Sequence, residues 1–273
     1  MRLFFRNKSL YVNEGGHVKY IKLLAKLLPN RKFILQVRLL DDTNPFRLKN
    51  LPSNIQLVCV SEFIARNIPR KYNPLVLNDP FKLPQVLKSS KHKQMKEFTI
   101  GFIGRVTPTK GLKDISTLLK HLELSDKRIN VFFFGSVEDE KQEVSDFVKT
   151  CLSFKSLNVE FKGFVDSKTD IYTAINLVIH LNKEEAFPRI ALESWAYGVP
   201  LIGFNAGGVG EINKLLRANE YLLNPEKDWI KISLCLIEKI KKYYPQKTVL
   251  VAQEIIKKRL DVHLFVKHLE KII

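Results

Sequence analysis

From residue 98 onward short apolar runs alternate with helical segments, with turns between them and no internal sequence repeat. Phe98–Ile103, Asn130–Phe134, Val159–Lys162, Leu177–Leu181 and Pro200–Phe204 read as strands. Helical patterns around Leu112–Leu122, Lys141–Leu152, Ile171–Ile175 and Ile190–Tyr197 alternate with them, and Gly207-Gly208 opens a further turn and helix. Strands that run parallel need a crossover between them, and a helix is the usual one. The alternation therefore predicts an α/β fold built on a doubly wound parallel sheet. Sheets of this kind bind ligands beyond the carboxyl ends of their strands, which selects the loops after Ile103, Lys162, Leu181 and Phe204.

The first 84 residues show a shorter version of the same rhythm. Arg2–Phe5, Phe33–Leu40 and Ile55–Val60 read as strands. His17–Leu28 reads as a helix because Val18, Ile21, Ala25 and Leu28 recur at helical spacing, and Pro29 stops it. Ser61 is placed to cap a helix over Glu62–Asn67. Residues 85–97 are polar and basic and read as a linker. The expected organisation is thus a reduced N-terminal domain over 1–84, the linker, and a second domain over 98–273 that ends in a helix across Val251–Ile273.

Charge and cysteine usage narrow the function classes. Lys plus Arg number 45 and Asp plus Glu 28, a net charge of +17. That charge points to an anionic partner: a phosphorylated ligand or an anionic membrane surface. The basic residues are dispersed, and no zinc-finger spacing or RNA-recognition signature occurs, so nucleic acid is not expected. No apolar run reaches the ~18 residues a membrane span requires, and Met1–Arg6 does not read as a signal peptide. Cys59, Cys151 and Cys235 are widely spaced and read as buried thiols of a cytoplasmic protein. His92, His121, His180, His263 and His268 show no metal-ligand spacing, and no D-x-D is present, so no metal is expected. Trp195 reads as a core residue, and Glu138-Asp139-Glu140 as a solvated turn.

Two constellations carry chemistry. Gly104-Arg105-Val106-Thr107-Pro108-Thr109-Lys110-Gly111 joins a strand to a helix. Gly104 permits a tight turn, and Arg105 and Lys110 place two cations beside a helix N-terminus, an arrangement suited to a diphosphate. The segment Glu185-Ala186-Phe187-Pro188-Arg189-Ile190-Ala191-Leu192-Glu193 holds two carboxylates, one in a loop and one near the start of the next helix. Carboxylates accept hydrogen bonds from sugar hydroxyls and from a ribose diol.

With Gly163-Phe164-Val165, Ala196-Tyr197-Gly198-Val199-Pro200 and Gly207-Gly208-Val209-Gly210-Glu211, these motifs stand in the order found in the group 1, or family four, glycosyltransferases, and the chain resembles their donor-binding half. The resemblance implies the GT-B fold of two Rossmann-like domains, a nucleotide-sugar donor used as substrate, no cofactor, and retention of anomeric configuration. It implies a diphosphate held by Arg105 and Lys110, with Gly104 at the turn and Val165 beside the nucleotide base. It implies a donor sugar met by Glu185, backbone contacts from Phe187, Pro188, Arg189 and Ile190, and a ribose held by Glu193. Pro188 stands where the family often has glycine and lacks an N–H to donate. Gly15-Gly16 before a helix resembles the glycine loop of the acceptor domain, which places Gly16 near the donor phosphates.

The resemblance also implies a glycan or lipid-linked acceptor in cell-surface polysaccharide or glycoconjugate synthesis. With Lys19, Lys22, Lys26, Arg31 and Lys32 in the first segment and Lys88, Lys91, Lys93 and Lys96 in the linker, it gives a peripheral position on the cytoplasmic face of a membrane. The short first domain leaves a second reading: a donor-binding module completed by a partner chain or a second copy.

Overall fold

The computed structural model describes residues 3–6, 9–84, 97–125 and 128–273. The chain divides into two compact units. The first comprises Met1–Lys82, Glu184–Pro188 and Lys257–Ile273; the second comprises Leu83–Lys183 and Arg189–Ile256. The expected linker, 85–97, lies outside the described residues except for Glu97.

The first unit is built on a five-stranded sheet among the described residues, in the order β1-β2-β3-β4-β5. β1 (Leu3–Arg6) pairs antiparallel with β2 (Ser9–Val12). β3 (Lys32–Val37), β4 (Ile55–Cys59) and β5 (Leu75–Val76) continue parallel from β2. The helices are α1 (Val18–Leu27), a single turn α2 (Pro45–Leu48) and α3 (Glu62–Arg66). Ser61 caps α3 as expected: its hydroxyl accepts from the Ile64 N–H at 3.2 Å. Val18, Ile21 and Ala25 form the buried face of α1, but Leu28 lies past the helix end and is exposed.

The second unit carries β6 (Thr99–Ile103), β7 (Ile129–Phe134), β8 (Leu157–Gly163), β9 (Leu177–His180), β10 (Leu201–Phe204) and β11 (Leu222–Leu223). They pair parallel throughout in the order β11-β10-β9-β6-β7-β8. The crossovers use α4 (Leu112–Leu124), α5 (Gln142–Leu152), α6 (Lys168–Thr173), α7 (Arg189–Ala196) and α8 (Gly207–Leu215). The chain leaves β6 toward β7 and β8, then returns to the other side of β6 as β9. The strand order therefore reverses between β6 and β9, and the crevice at such a switch point is where doubly wound sheets hold ligands. Phe102, Phe133 and Phe161 stack in one row across β6, β7 and β8, with centroids 4.9 Å apart at each step. Trp195 is fully buried, and its indole N–H donates to Asn213 Oδ1 at 3.0 Å, as a core residue should.

The C-terminal part departs from expectation. α9 (Trp229–Lys242) was not read from the sequence, and Val251–Ile273 is not one helix. α10 (Gln246–Arg259) stops, and Asp261 starts α11 (Val262–Ile272) by accepting from the His263 N–H at 2.8 Å. From Lys257 the chain groups with the first unit rather than the second. The reason is apolar burial: Phe265, Leu269 and Ile272 of α11 pack on a cluster of Tyr11, Ile34, Val58 and Leu77. Their spacing of four and three residues puts them on one helix face. Ser9 Oγ donates to the Ile273 carbonyl at 2.9 Å, and the Phe81 N–H to the Leu260 carbonyl at 2.7 Å. Cys59 and Cys151 are buried thiols, each pushed up to about 12 by desolvation. Cys235 on α9 is exposed, contrary to its reading as a core residue.

Candidate functional site

The loop after β6 and the loop after β7 are zipped together beyond the sheet. Gly104 N–H donates to Phe134 O at 2.8 Å, Val106 N–H to Ser136 O at 2.9 Å, and Glu138 N–H to Val106 O at 3.2 Å. On the other side, Gly135 N–H donates to Gly163 O at 2.7 Å, so glycines end three adjacent strands side by side. Gly135 has φ +138°, and a Cβ there would lie 2.2 Å from the Gly104 carbonyl oxygen. Only glycine allows the two loops this approach. A Cβ on Gly104 would meet nothing within 4 Å, so this strand end faces open space.

That space is a pocket at the switch point. Phe102–Thr107, Lys110, Leu112, Ile115, Phe133 and Ile179–Leu181 line it. Its walls are the carboxyl ends of β6 and β9 and the first turn of α4, whose free N–H groups and dipole favour an anion. Arg105 and Lys110, which the sequence places in the loop after β6, both line it.

Arg105 is oriented by a residue the sequence reading dismissed. Its Nη1 donates to Glu138 Oε1 at 3.0 Å. Glu138 Oε2 accepts from Thr107 Oγ1 at 2.8 Å and also pairs with Lys141 Nζ. Lys141 Nζ lies 3.3 Å from Thr107 Oγ1. The hydrogen bonds from Lys141 and Thr107 hold the Glu138 carboxyl below the usual carboxylate range against partial burial, and the charges of Lys141 and Arg105 add to them. Glu138 is therefore half-buried and organised rather than a solvated turn residue. Two cations, Arg105 and Lys141, thus meet one carboxylate beside the pocket.

Glu193 sits in a second cluster of the same unit. It is buried on α7 and pairs with Lys168 Nζ of α6. Tyr172 Oη donates to its Oε2 at 3.3 Å, and Arg189 Nε lies 3.9 Å from Oε1. Burial and the neighbouring Glu193 charge push the Tyr172 phenol well above its ordinary range, so it remains a donor. Tyr172 also stacks on Tyr197 with centroids 4.8 Å apart. Lys168 follows the half-buried Val165 by three residues, so the loop after β8 is tied to the start of α7.

The remaining expected residues lie elsewhere. Glu185, Phe187 and Pro188 belong to the short segment between β9 and α7 that groups with the first unit, where Phe187 and Pro188 are buried and Glu185 half-buried. Arg189 is exposed and Ile190 half-buried at the start of α7. Gly16 lies in the turn between β2 and α1, exposed, with open space around it. Its neighbour Gly15 is the sterically demanding one, since a Cβ there would sit 2.4 Å from the Asp42 carboxyl carbon.

The carboxyl edge of the first unit's sheet holds a polar network not anticipated from the sequence. Arg38 Nη1 donates to Asp79 Oδ1 at 2.9 Å and Gln36 Oε1 at 3.0 Å, and its Nη2 pairs with Asp79 Oδ2. Tyr11 Oη donates to Gln36 Oε1 at 2.5 Å. Burial pushes the Tyr11 phenol up to about 12, with Arg38 opposing and Asp79 assisting. Among the described residues no group of three or more His, Cys, Asp or Glu is placed to hold a metal ion.

Comparison with known proteins agrees with this geometry. The family model of glycosyl transferases group 1 matches residues 85–266, more than half of the chain. CapM of Staphylococcus aureus, a capsular polysaccharide biosynthesis glycosyltransferase, is 22% identical over 235 residues, covering 76% of this chain and 61% of the relative. An uncharacterized 41.2 kDa protein in the cps region of Klebsiella pneumoniae is 28% identical over 144 residues, covering 52% of this chain and 37% of the relative. The chain thus spans less than two-thirds of the curated relatives it matches. The crystal structure of Anabaena HepE in complex with UDP-glucose shares the fold, with a TM-score of 0.73 at 17% identity, over 97% of this chain and 78% of that one. The strand order, the glycine-ended loops and the family match agree, and the chain belongs to the group 1 glycosyl transferases, with the GT-B fold.

Proposed function

We propose that the chain transfers a sugar from a nucleotide-sugar donor to a glycan or lipid-linked acceptor in cell-surface polysaccharide synthesis. The observation that carries the reading is the pocket at the β6/β9 switch point, with Arg105, Lys110 and the α4 N-terminus on its rim. The donor diphosphate would lie there. In the reaction the acceptor hydroxyl oxygen bonds to the anomeric carbon on the face from which the diphosphate departs. The bond from that carbon to the phosphate oxygen breaks, the nucleoside diphosphate keeps the electron pair, and the acceptor proton goes to the departing phosphate. Arg105 and Lys110 stabilise the charge that develops on the leaving group, a task a metal performs in other transferases, so no metal is required. Glu185 orients the donor sugar and contributes position. Glu193 accepts from the ribose hydroxyls, with Lys168 and Tyr172 holding its carboxylate in place. An anionic membrane surface is the further partner this reading gives to the +17 charge.

A thermal-shift panel of nucleoside diphosphates and their sugars tests the donor. UDP and UDP-glucose come first, because HepE was solved with UDP-glucose. A ligand that binds the folded state alone raises the melting temperature with concentration. Stabilisation followed by transfer to an acceptor, unchanged by a chelator, is the expected result. Stabilisation without transfer or hydrolysis supports instead a donor-binding module completed by a partner chain or a second copy. No stabilisation by any member rejects the donor site.

The two glutamates should separate in kinetics. Glu193→Gln keeps the shape but leaves Lys168 without its counter-charge and weakens the ribose contact, at a cost of about 1–3 kcal/mol in nucleoside diphosphate binding. Glu185→Gln should lower turnover and leave that binding unchanged. Calorimetric titration of both variants checks the split; unaltered affinity in Glu193→Gln would remove the ribose assignment.

A further inference from the structure

The outward face of α1 carries a feature the buried pattern of that helix does not require. Tyr20 is 67% exposed, Leu23 58% and Leu27 66%. At intervals of three and four residues they form one apolar stripe, opposite the buried face of Val18, Ile21 and Ala25. Lys19 and Lys26 border the stripe along one edge, and Arg31 and Lys32 follow the helix. Lys22 turns toward α2, where its Nζ donates to the carbonyls of Arg47 and Lys49, each at 2.6 Å. That contact fixes the end of α2 beside the lysine edge, and there Phe46 is 87% exposed. No Asp or Glu occurs between Gly15 and Leu40.

We propose that this face, formed by Tyr20, Leu23 and Leu27 with Lys19 and Lys26 at its border, docks the chain on an anionic lipid bilayer. The choice of occupant rests on charge. A helix with cations along one edge of an exposed Leu and Tyr stripe, and no carboxylate within the helix, matches the interface of anionic headgroups and acyl chains. Lysine stems extend along the apolar region while the ammonium groups reach the phosphates. A second copy of the same face would bring the same cations together, and like charges oppose that contact. The proposal deepens the membrane element of the proposed function and rests on that element alone. Lipid binding and sugar transfer to a water-soluble acceptor are separate readouts, so either can fail while the other stands.

The test is co-sedimentation of the full chain with phosphatidylglycerol-containing and pure phosphatidylcholine vesicles. The expected result is at least about tenfold tighter binding to the anionic vesicles at low salt, since each surface cation adds to the attraction. That preference should collapse in ~1 M salt, where the screening length is ~3 Å. L23S/L27S should weaken anionic binding even at low salt, and K19Q/K26Q should remove the preference for anionic over neutral lipid. All four side chains point to water, so both variants should keep the wild-type melting temperature. Equal binding to both vesicle types, or full binding by both variants, overturns the proposal. So does a wild-type dimer in sedimentation velocity that L23S/L27S converts to monomer, because the face would then be an interface between copies.

Discussion

Arg105→Ala should reduce transfer roughly thirtyfold to a thousandfold, a loss of about 2–4 kcal/mol of transition-state stabilisation. The side chain is 65% exposed, so its removal leaves no cavity and the variant should fold with wild-type stability. The loss falls on the step in which negative charge grows on the departing diphosphate. Arg105 is preorganised for that step: Glu138 holds its guanidinium, and Thr107 and Lys141 hold Glu138. Preorganised charge is worth more than mobile charge because no reorientation is needed during reaction. Arg105→Lys should fall between, because an ammonium cannot make the paired, planar contacts of a guanidinium. Glu138→Gln gives a second view of the same arrangement. It keeps a hydrogen-bonding side chain near Arg105 but removes the anion, so it should lower turnover with little change in folding. Steady-state kinetics of the three variants with a donor chosen from the thermal-shift panel make the check. Wild-type turnover in Arg105→Ala would show that the pocket is not the diphosphate site.

How far the sequence could be read follows from where its signals are local. The second unit was legible because its central strands β6, β9 and β10 are buried and appear as apolar runs between helices, whereas β8 at the sheet edge is half-exposed. That Arg105 and Lys110 line one pocket was legible because they stand in one loop between one strand and one helix. β2 was not legible: Ser9–Val12 is four residues long and is followed at once by the polar Asn13-Glu14 and two glycines. β5 is a two-residue strand and carries no periodicity at all. The break between α10 and α11 rests on Asp261 as a cap, inside a stretch whose apolar spacing runs on continuously. Glu138 was hidden because its partner Arg105 is 33 residues away and the run Glu138-Asp139-Glu140 looks like solvent-facing charge. A signal was nonetheless present. The loops after β6 and β7 follow neighbouring strands, so an acid in one should meet a cation in the other. The Lys168–Glu193 pair, 25 residues apart, is visible only once α6 and α7 are known to lie side by side. The exposed stripe of α1 was obscured by its own buried stripe, because apolar residues on both faces of one helix blur the amphipathic pattern.

Gly135→Ala should be among the most destabilising single-methyl changes available in this chain, costing about 3 kcal/mol. Two effects add. At φ +138° an L side chain occupies a region that is essentially reserved for glycine, which costs about 1–3 kcal/mol. The new Cβ would also lie 2.2 Å from Gly104 O and 2.6 Å from Gly104 C, well inside contact distance. A flexible side chain could swing away, but this neighbour is backbone. It is held by Gly104 N–H to Phe134 O and by the Val106 and Glu138 hydrogen bonds that zip the two loops. Relief therefore requires the loops to part, and parting moves both Arg105 and the carboxylate that orients it. Gly163→Ala supplies the control. Gly163 also has positive φ, at +65°, but a Cβ there meets nothing within 4 Å. It should cost only the ~1–2 kcal/mol of a left-handed L residue. Urea denaturation of the two variants measures the difference, and donor binding should fall in Gly135→Ala while it is kept in Gly163→Ala. Equal destabilisation at both positions would mean that the Gly104–Gly135 approach is not what shapes the loop that carries Arg105.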